Sequence, residues 1–84
     1  MPPVTIYTTS YCPYCARAKA LLTRKGVAFE EIDASDSKVR DAMTKRANGS
    51  YTVPQIFIGD VHVGGCDDLH GLDAKGELDR LLQS

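Results

Sequence analysis

Apolar and polar positions change their period several times along the 84 residues, and each change marks an element. Val4-Thr5-Ile6-Tyr7-Thr8 is short, β-branched and aromatic, then gives way to the polar pair Thr9-Ser10, as a strand entering a loop does. From Pro13 to Lys25 the apolar residues Cys15, Ala18, Leu21 and Leu22 recur at helical spacing. Pro13 suits a first helical turn and Gly26 a C-terminal cap. Val27 to Ile32 reads as a second strand, and Asp33 to Ser37 supply turn and N-cap chemistry. Val39, Ala42, Met43 and Ala47 mark an amphipathic helix ending near Asn48-Gly49. Gln55 to Ile58 and Val61 to Val63 flank the turn formers Gly59-Asp60 and predict a β-hairpin. Leu69, Leu72, Leu78, Leu81 and Leu82 stripe a closing helical region that Gly76 interrupts.

The opening β-α-β order calls for a right-handed crossover and a parallel strand pair, because a helix laid over the sheet returns the chain in the same direction. With the hairpin and last helix added, the order βαβ-α-ββ-α predicts an α/β fold: a three-layer α/β/α sandwich around a four-stranded mixed sheet. Residues 1–84 read as a single domain, without repeat, linker or low-complexity segment.

Composition narrows the function classes. Apolar residues make up 43% and charged residues 25%, an ordinary globular balance instead of a disordered one. Ten Lys plus Arg against eleven Asp plus Glu leave a formal charge of -1, which argues against nucleic-acid binding. No apolar run approaches the roughly 18 residues of a membrane span, and Met1-Pro2-Pro3 leads straight into a strand, so no membrane association or export is expected. Three cysteines are an odd number that closes no structural framework, and this fits a reducing cytoplasm.

Two of those cysteines frame the chemistry. Cys12-Pro13-Tyr14-Cys15 falls where the first strand has ended and the first helix begins. A helix N-terminus presents backbone N–H groups without intrahelical partners and the positive end of the dipole, so a sulfur there is stabilised as thiolate. Cys12 is so placed and is the expected nucleophile. Cys15, one turn deeper, is expected to be more covered and to act as the resolving thiol. A structural zinc site would need four ligands, but beyond this pair only His62, Cys66 and His70 are scattered through the second half. No metal site is expected.

Two further segments bear on recognition. Pro54 in Thr52-Val53-Pro54 fits two descriptions: a residue that starts a strand, or a cis peptide that turns the Val53 backbone toward the cysteine loop and offers it to an extended thiol substrate. Gly64-Gly65-Cys66-Asp67-Asp68 opens the last helix. Asp67 or Asp68 can cap that helix, and the same N-terminus can hold a carboxylate on its N–H groups while an Asp holds a neighbouring ammonium, a pairing suited to an α-amino acid end.

In their order and separation, Cys-Pro-Tyr-Cys, Thr-Val-Pro and Gly-Gly-Cys-Asp-Asp resemble a dithiol glutaredoxin of the small bacterial type, along essentially the whole chain. The resemblance implies a thioredoxin-like fold and an oxidoreductase that reduces protein-glutathione mixed disulfides and protein disulfides. Glutathione would be the reducing co-substrate, with no tightly bound cofactor. It implies Cys12 as nucleophile and Cys15 as resolving thiol. Tyr14 would flank the tripeptide, Thr52 and Val53 would contact it through the backbone, and Pro54 would be cis. Gly65, Cys66, Asp67 and Asp68 would hold the γ-glutamyl end, and Arg40 the glycyl carboxylate. The partners implied are glutathione and glutathionylated or disulfide-containing proteins, ribonucleotide reductase among them, for a cytoplasmic monomer. The rival reading within the resemblance is an iron-sulfur carrier in which Cys12 and glutathione from two protomers ligate one cluster. Pro13 and the second thiol at Cys15 favour redox turnover.

One position departs from the pattern. Many relatives have lysine three residues before the nucleophile, where this chain has Thr9, leaving Arg17, Lys19 or Arg40 to supply a compensating charge. Cys66 reads as a half-buried apolar residue, with an oxidation-prone thiol as the alternative. His62 and His70 read as a surface strand residue and a helix residue, Met43 and the leucines as core, and Tyr7, Tyr11 and Tyr51 as packing or cleft-lining groups.

Overall fold

Strand β1 (Val4–Thr8) is an interior strand of a four-stranded sheet of order β2-β1-β3-β4, in a computed structural model that describes residues 1–83. It pairs in parallel with β2 (Glu30–Asp33) on one side and antiparallel with β3 (Gln55–Ile58) on the other, and β4 (Val61–Gly64) closes the hairpin against β3. The helices are α1 (Pro13–Arg24), α2 (Ser37–Arg46), α3 (Cys66–Ala74) and α4 (Glu77–Gln83).

Strand periodicity sorts the core into two layers. Val4 and Ile6 of β1 and Ile56 and Ile58 of β3 turn to one face, where they meet Ala18, Leu21 and Leu22 of α1, Cys66 and Leu69 of α3, and Leu78 and Leu82 of α4. Tyr7 and Phe57 belong to the other face and pack with Ala34, Met43 and Ala47 around α2. Each large apolar side chain buried this way is worth about 1.5–3 kcal/mol of transfer free energy. A mixed sheet so covered by helices is the three-layer α/β/α arrangement that the element order predicts, and it is thioredoxin-like, as the resemblance implies.

One boundary and one burial pattern differ from the sequence reading, while the expected break at Gly76 is found. The second strand starts at Glu30 instead of Val27, because the Val27 N–H bonds back to the Leu22 carbonyl and Gly26, at φ +72°, unwinds the helix. Val27 is nevertheless buried, which is why its hydrophobicity resembles strand patterning. Gly76, at φ +76°, splits the closing helical region into α3 and α4. Lys25 ties this end of the molecule together through ion pairs with Asp73 and Asp79, and those carboxylates raise its pKa. Ala42, expected on the apolar face of α2, is exposed, while Ala34 before that helix is fully buried.

Candidate active site

The end of β1 delivers the chain to the α1 N-terminus through Tyr11, whose left-handed φ of +57° makes the turn with the side chain fully exposed. Cys12 is the N-cap of α1, in extended backbone, and its sulfur accepts the Cys15 N–H at 3.1 Å. The sulfur thus takes the place usually filled by a serine or aspartate oxygen, with Pro13 in the first turn where a missing N–H costs nothing. Cys15 is 2% exposed and Cys12 half-buried, the asymmetry expected of an outer attacking and an inner resolving sulfur. The two are joined as a disulfide, with Cα atoms 5.2 Å apart.

The other segments converge on this point. The Val53–Pro54 peptide is cis, and the Val53 carbonyl oxygen lies 3.9 Å from the Cys12 sulfur. A groove of about 220 Å³ is lined by Tyr14, Thr52, Val53, Pro54, Gly65, Cys66, Asp67 and Asp68. The structure therefore brings together nine of the eleven residues singled out from the sequence if Cys12 is counted at the groove's sulfur end. Cys15 lies beneath as a buried member of the disulfide. Arg40 stands outside the groove lining: its Nε donates to the Tyr51 carbonyl at 3.0 Å, bracing the loop that leads to Thr52.

The groove's far wall is the N-terminus of α3. Gly65 is the N-cap, and its N–H donates to Asp68 Oδ2 at 2.9 Å, so the Asp68 carboxylate caps the helix. Asp67 is exposed in the same first turn and presents a carboxylate to the groove. Gly64 has φ +110° and no room for a Cβ, which would run into the Asp68 carboxylate. Cys66 is 4% exposed; desolvation pushes its thiol pKa up, with Arg17 opposing and Asp67 reinforcing the shift. His70 Nδ1, 2.9 Å from the Cys66 carbonyl oxygen, carries the proton of that contact because a carbonyl only accepts.

The cations proposed to replace a lysine at position 9 are engaged elsewhere. Lys19 pairs with Glu31 at 2.9 Å, Arg17 stands 5.9 Å over the Tyr14 ring, and Arg40 holds the Tyr51 carbonyl. The helix-terminal N–H of Cys15 is placed to stabilise negative charge on Cys12. On the other side of Cys12 lies a wider concavity of about 870 Å³ that includes Thr9, Tyr11, Lys19 and Glu31. Its floor is a network in which Thr8 Oγ1 donates to Glu31 at 2.7 Å beside Lys19; these contacts lower the Glu31 pKa, Lys19 first.

The sequence reading missed a polar chain behind the groove. His62 is half-buried, not a surface residue: its ring stacks on Phe57 at 5.0 Å and its Nε2 lies 2.7 Å from Gln55 Oε1. The available signal was Gln55 itself, an amide heading the otherwise apolar run Gln55-Ile56-Phe57-Ile58. A buried amide requires partners. Among the tyrosines, Tyr7 is core and sits edge-on to Phe57, while Tyr11 and Tyr51 are exposed.

A redox-capable Cys-x-x-Cys pair at a strand-to-helix junction, on a thioredoxin-like sheet and beside a cis-proline loop, defines a thiol-disulfide exchange domain. The chain belongs to the glutaredoxin family: the family model for glutaredoxin matches residues 4–63. It is 59% identical to Glutaredoxin 3 of Escherichia coli K12 over 85 aligned positions, covering 99% of this chain and all of that protein. It also superposes on the solution structure of a glutaredoxin from Brucella melitensis with a TM-score of 0.86 at 61% identity, covering 98% of this chain and 89% of that one. A crystal structure of a buckwheat glutaredoxin-glutathione complex matches with a TM-score of 0.87 at 31% identity, over 98% and 77% of the two chains. The family is one of glutathione-dependent thiol-disulfide oxidoreductases. Among the described residues no helix is long and apolar enough to cross a membrane.

Proposed function

We propose that this protein reduces protein-glutathione mixed disulfides and protein disulfides, using Cys12 as nucleophile and Cys15 as resolving thiol. The observation that carries the reading is Cys12 at the N-cap of α1, its sulfur accepting the Cys15 N–H at the end of the Tyr14, Thr52–Pro54 and Gly65–Asp68 groove. The match to a glutaredoxin solved with glutathione supports that ligand for the groove.

In the mixed-disulfide reaction, Cys12 thiolate attacks the glutathione sulfur. A Cys12–glutathione bond forms as the protein–glutathione bond breaks, and the protein sulfur leaves as a thiolate that takes up a proton. A second glutathione thiolate attacks the bound glutathione sulfur, releasing glutathione disulfide and restoring Cys12. For an intramolecular protein disulfide, Cys12 attacks one sulfur and Cys15 then attacks Cys12, which releases the fully reduced substrate. The product is the Cys12–Cys15 disulfide present in the structure, and two glutathiones reduce it. Thr52, Val53 and Tyr14 flank the tripeptide, and Asp67 with the α3 N-terminus takes its γ-glutamyl end. Arg40 acts indirectly, through the Tyr51 carbonyl.

The test is a coupled assay with glutathione, glutathione reductase and a glutathionylated peptide. Cys12→Ser abolishes turnover, while Cys15→Ser retains deglutathionylation and loses reduction of an intramolecular disulfide. Turnover surviving in Cys12→Ser would exclude the mechanism.

A further inference from the structure

Gln55 heads β3 at 2% exposure, where an amide is tolerated only with its donors and acceptor engaged. Its Nε2 donates to the Thr52 carbonyl oxygen at 3.0 Å and to Thr52 Oγ1 at 3.2 Å. Its Oε1 lies 2.7 Å from His62 Nε2. The Thr52 carbonyl can only accept, so the NH2 group faces Thr52 and the amide oxygen faces His62. The imidazole therefore donates from Nε2. Both the neutral ring with its proton on Nε2 and the imidazolium satisfy this requirement.

The sheet holds His62 in place for the contact. Phe57 and His62 are direct cross-strand partners, and their rings stack at 26°. The next pair is Ile56 with Gly64, so Val63 is the extra residue of a bulge in β4. Bulges re-aim side chains at strand ends. Phe57 is itself fixed by the Tyr7 edge at 5.8 Å and by the Arg46 guanidinium 4.1 Å from its ring centre.

We propose that His62 is a positioning residue for glutathione recognition: by fixing the Gln55 amide it holds Thr52, and with it the Thr52–Val53 backbone lining the groove. The inference rests on the glutathione reading given above. Without the imidazole donor, the Gln55 oxygen loses its partner, the amide gains a reason to rotate, and Thr52 loses two restraints. The consequence falls on selectivity for the tripeptide, because Cys12 and its helix cap belong to a different element.

The experiment measures single-turnover oxidation of the pre-reduced protein by two substrates: a glutathionylated peptide, and the same peptide carrying mercaptoethanol in place of glutathione. The readout is the ratio of the two rates in wild type, His62→Phe and His62→Gln. Phenylalanine keeps an aromatic ring against Phe57 without a donor, and glutamine supplies an amide N–H near the position of Nε2. The expected result is a ratio lowered roughly three- to tenfold in His62→Phe, the span of one neutral hydrogen bond, and restored in His62→Gln. A selective wild type with an unchanged ratio in His62→Phe overturns the His62 assignment alone. Both rates falling together, with no recovery in His62→Gln, reduces His62 to a stability role and overturns it too. A wild-type ratio near one overturns the glutathione reading and this inference with it.

Discussion

The Cys15 backbone N–H donates to the Cys12 sulfur at 3.1 Å, across the first turn of the helix that both residues begin. A chemically symmetric pair is thereby made asymmetric. The outer sulfur lies 3.9 Å from the Val53 carbonyl oxygen, a groove residue, and receives a donor, while the inner one is buried. The helix terminus thus supplies charge stabilisation at Cys12.

Alkylation of the reduced protein with iodoacetamide across a pH series should separate the cysteines. The Cys12 rate reaches its plateau at lower pH than that of free cysteine, near 8.5, because thiolate is the reacting form. Cys66 reacts last and needs more alkaline solution, since burial raises its pKa. Peptide mapping that finds Cys66 labelled before Cys12 would contradict both assignments.

Asp67 and Asp68 are adjacent, yet their variants should fail differently. Asp68→Ala removes the acceptor for the Gly65 N–H and should cost about 1 kcal/mol in urea denaturation. Asp67→Ala should stay within about 0.5 kcal/mol of wild type in stability. It should nonetheless slow reduction of a glutathionylated peptide by roughly tenfold, as expected for losing a charged hydrogen-bond partner. Equal stability losses, or an Asp67→Ala enzyme with unimpaired kinetics, would refute the division of labour.

Gly64→Ala places a Cβ against the Asp68 carboxylate on a residue at φ +110°. The strain and the disturbed cap should together cost about 2 kcal/mol or more, read from the urea midpoint at constant m-value. Gly71→Ala is the control, because a Cβ built there meets nothing within 4 Å beyond its chain neighbours and the backbone of its own helix. The prediction fails if the two substitutions have the same effect.

Glu31 should contribute to the acid limb of stability. Lys19, then Thr8, lower its folded pKa below the ordinary 4.5. The unfolded chain thus binds the proton more readily, and the contribution is fully present above pH 4.5 and lost as pH falls through the folded value. With both partners more than a third exposed, Glu31→Gln should cost less than about 1 kcal/mol at pH 7. The gap between variant and wild type should narrow as the pH falls below 4.5. A gap that widens on acidification would show the sign to be wrong.

Local chemistry made much of this protein readable from its residues. The helices announce themselves through periodicities contained within their own segments, and the α1 N-cap sulfur follows from Cys12 lying directly before Pro13. The three motifs carried the groove because each has its own backbone geometry: a helix start, a cis-proline loop and a glycine-led cap. Only the tertiary structure decided where β2 starts, since a strand is defined by its ladder and Glu30 finds its partner in Thr5, far back in the chain. It also decided that Lys19 answers Glu31, that Asp68 serves as the cap, and that His62 reaches Gln55. In each case the residue type permits several partners, and the choice is made by packing that brings distant segments within hydrogen-bond distance.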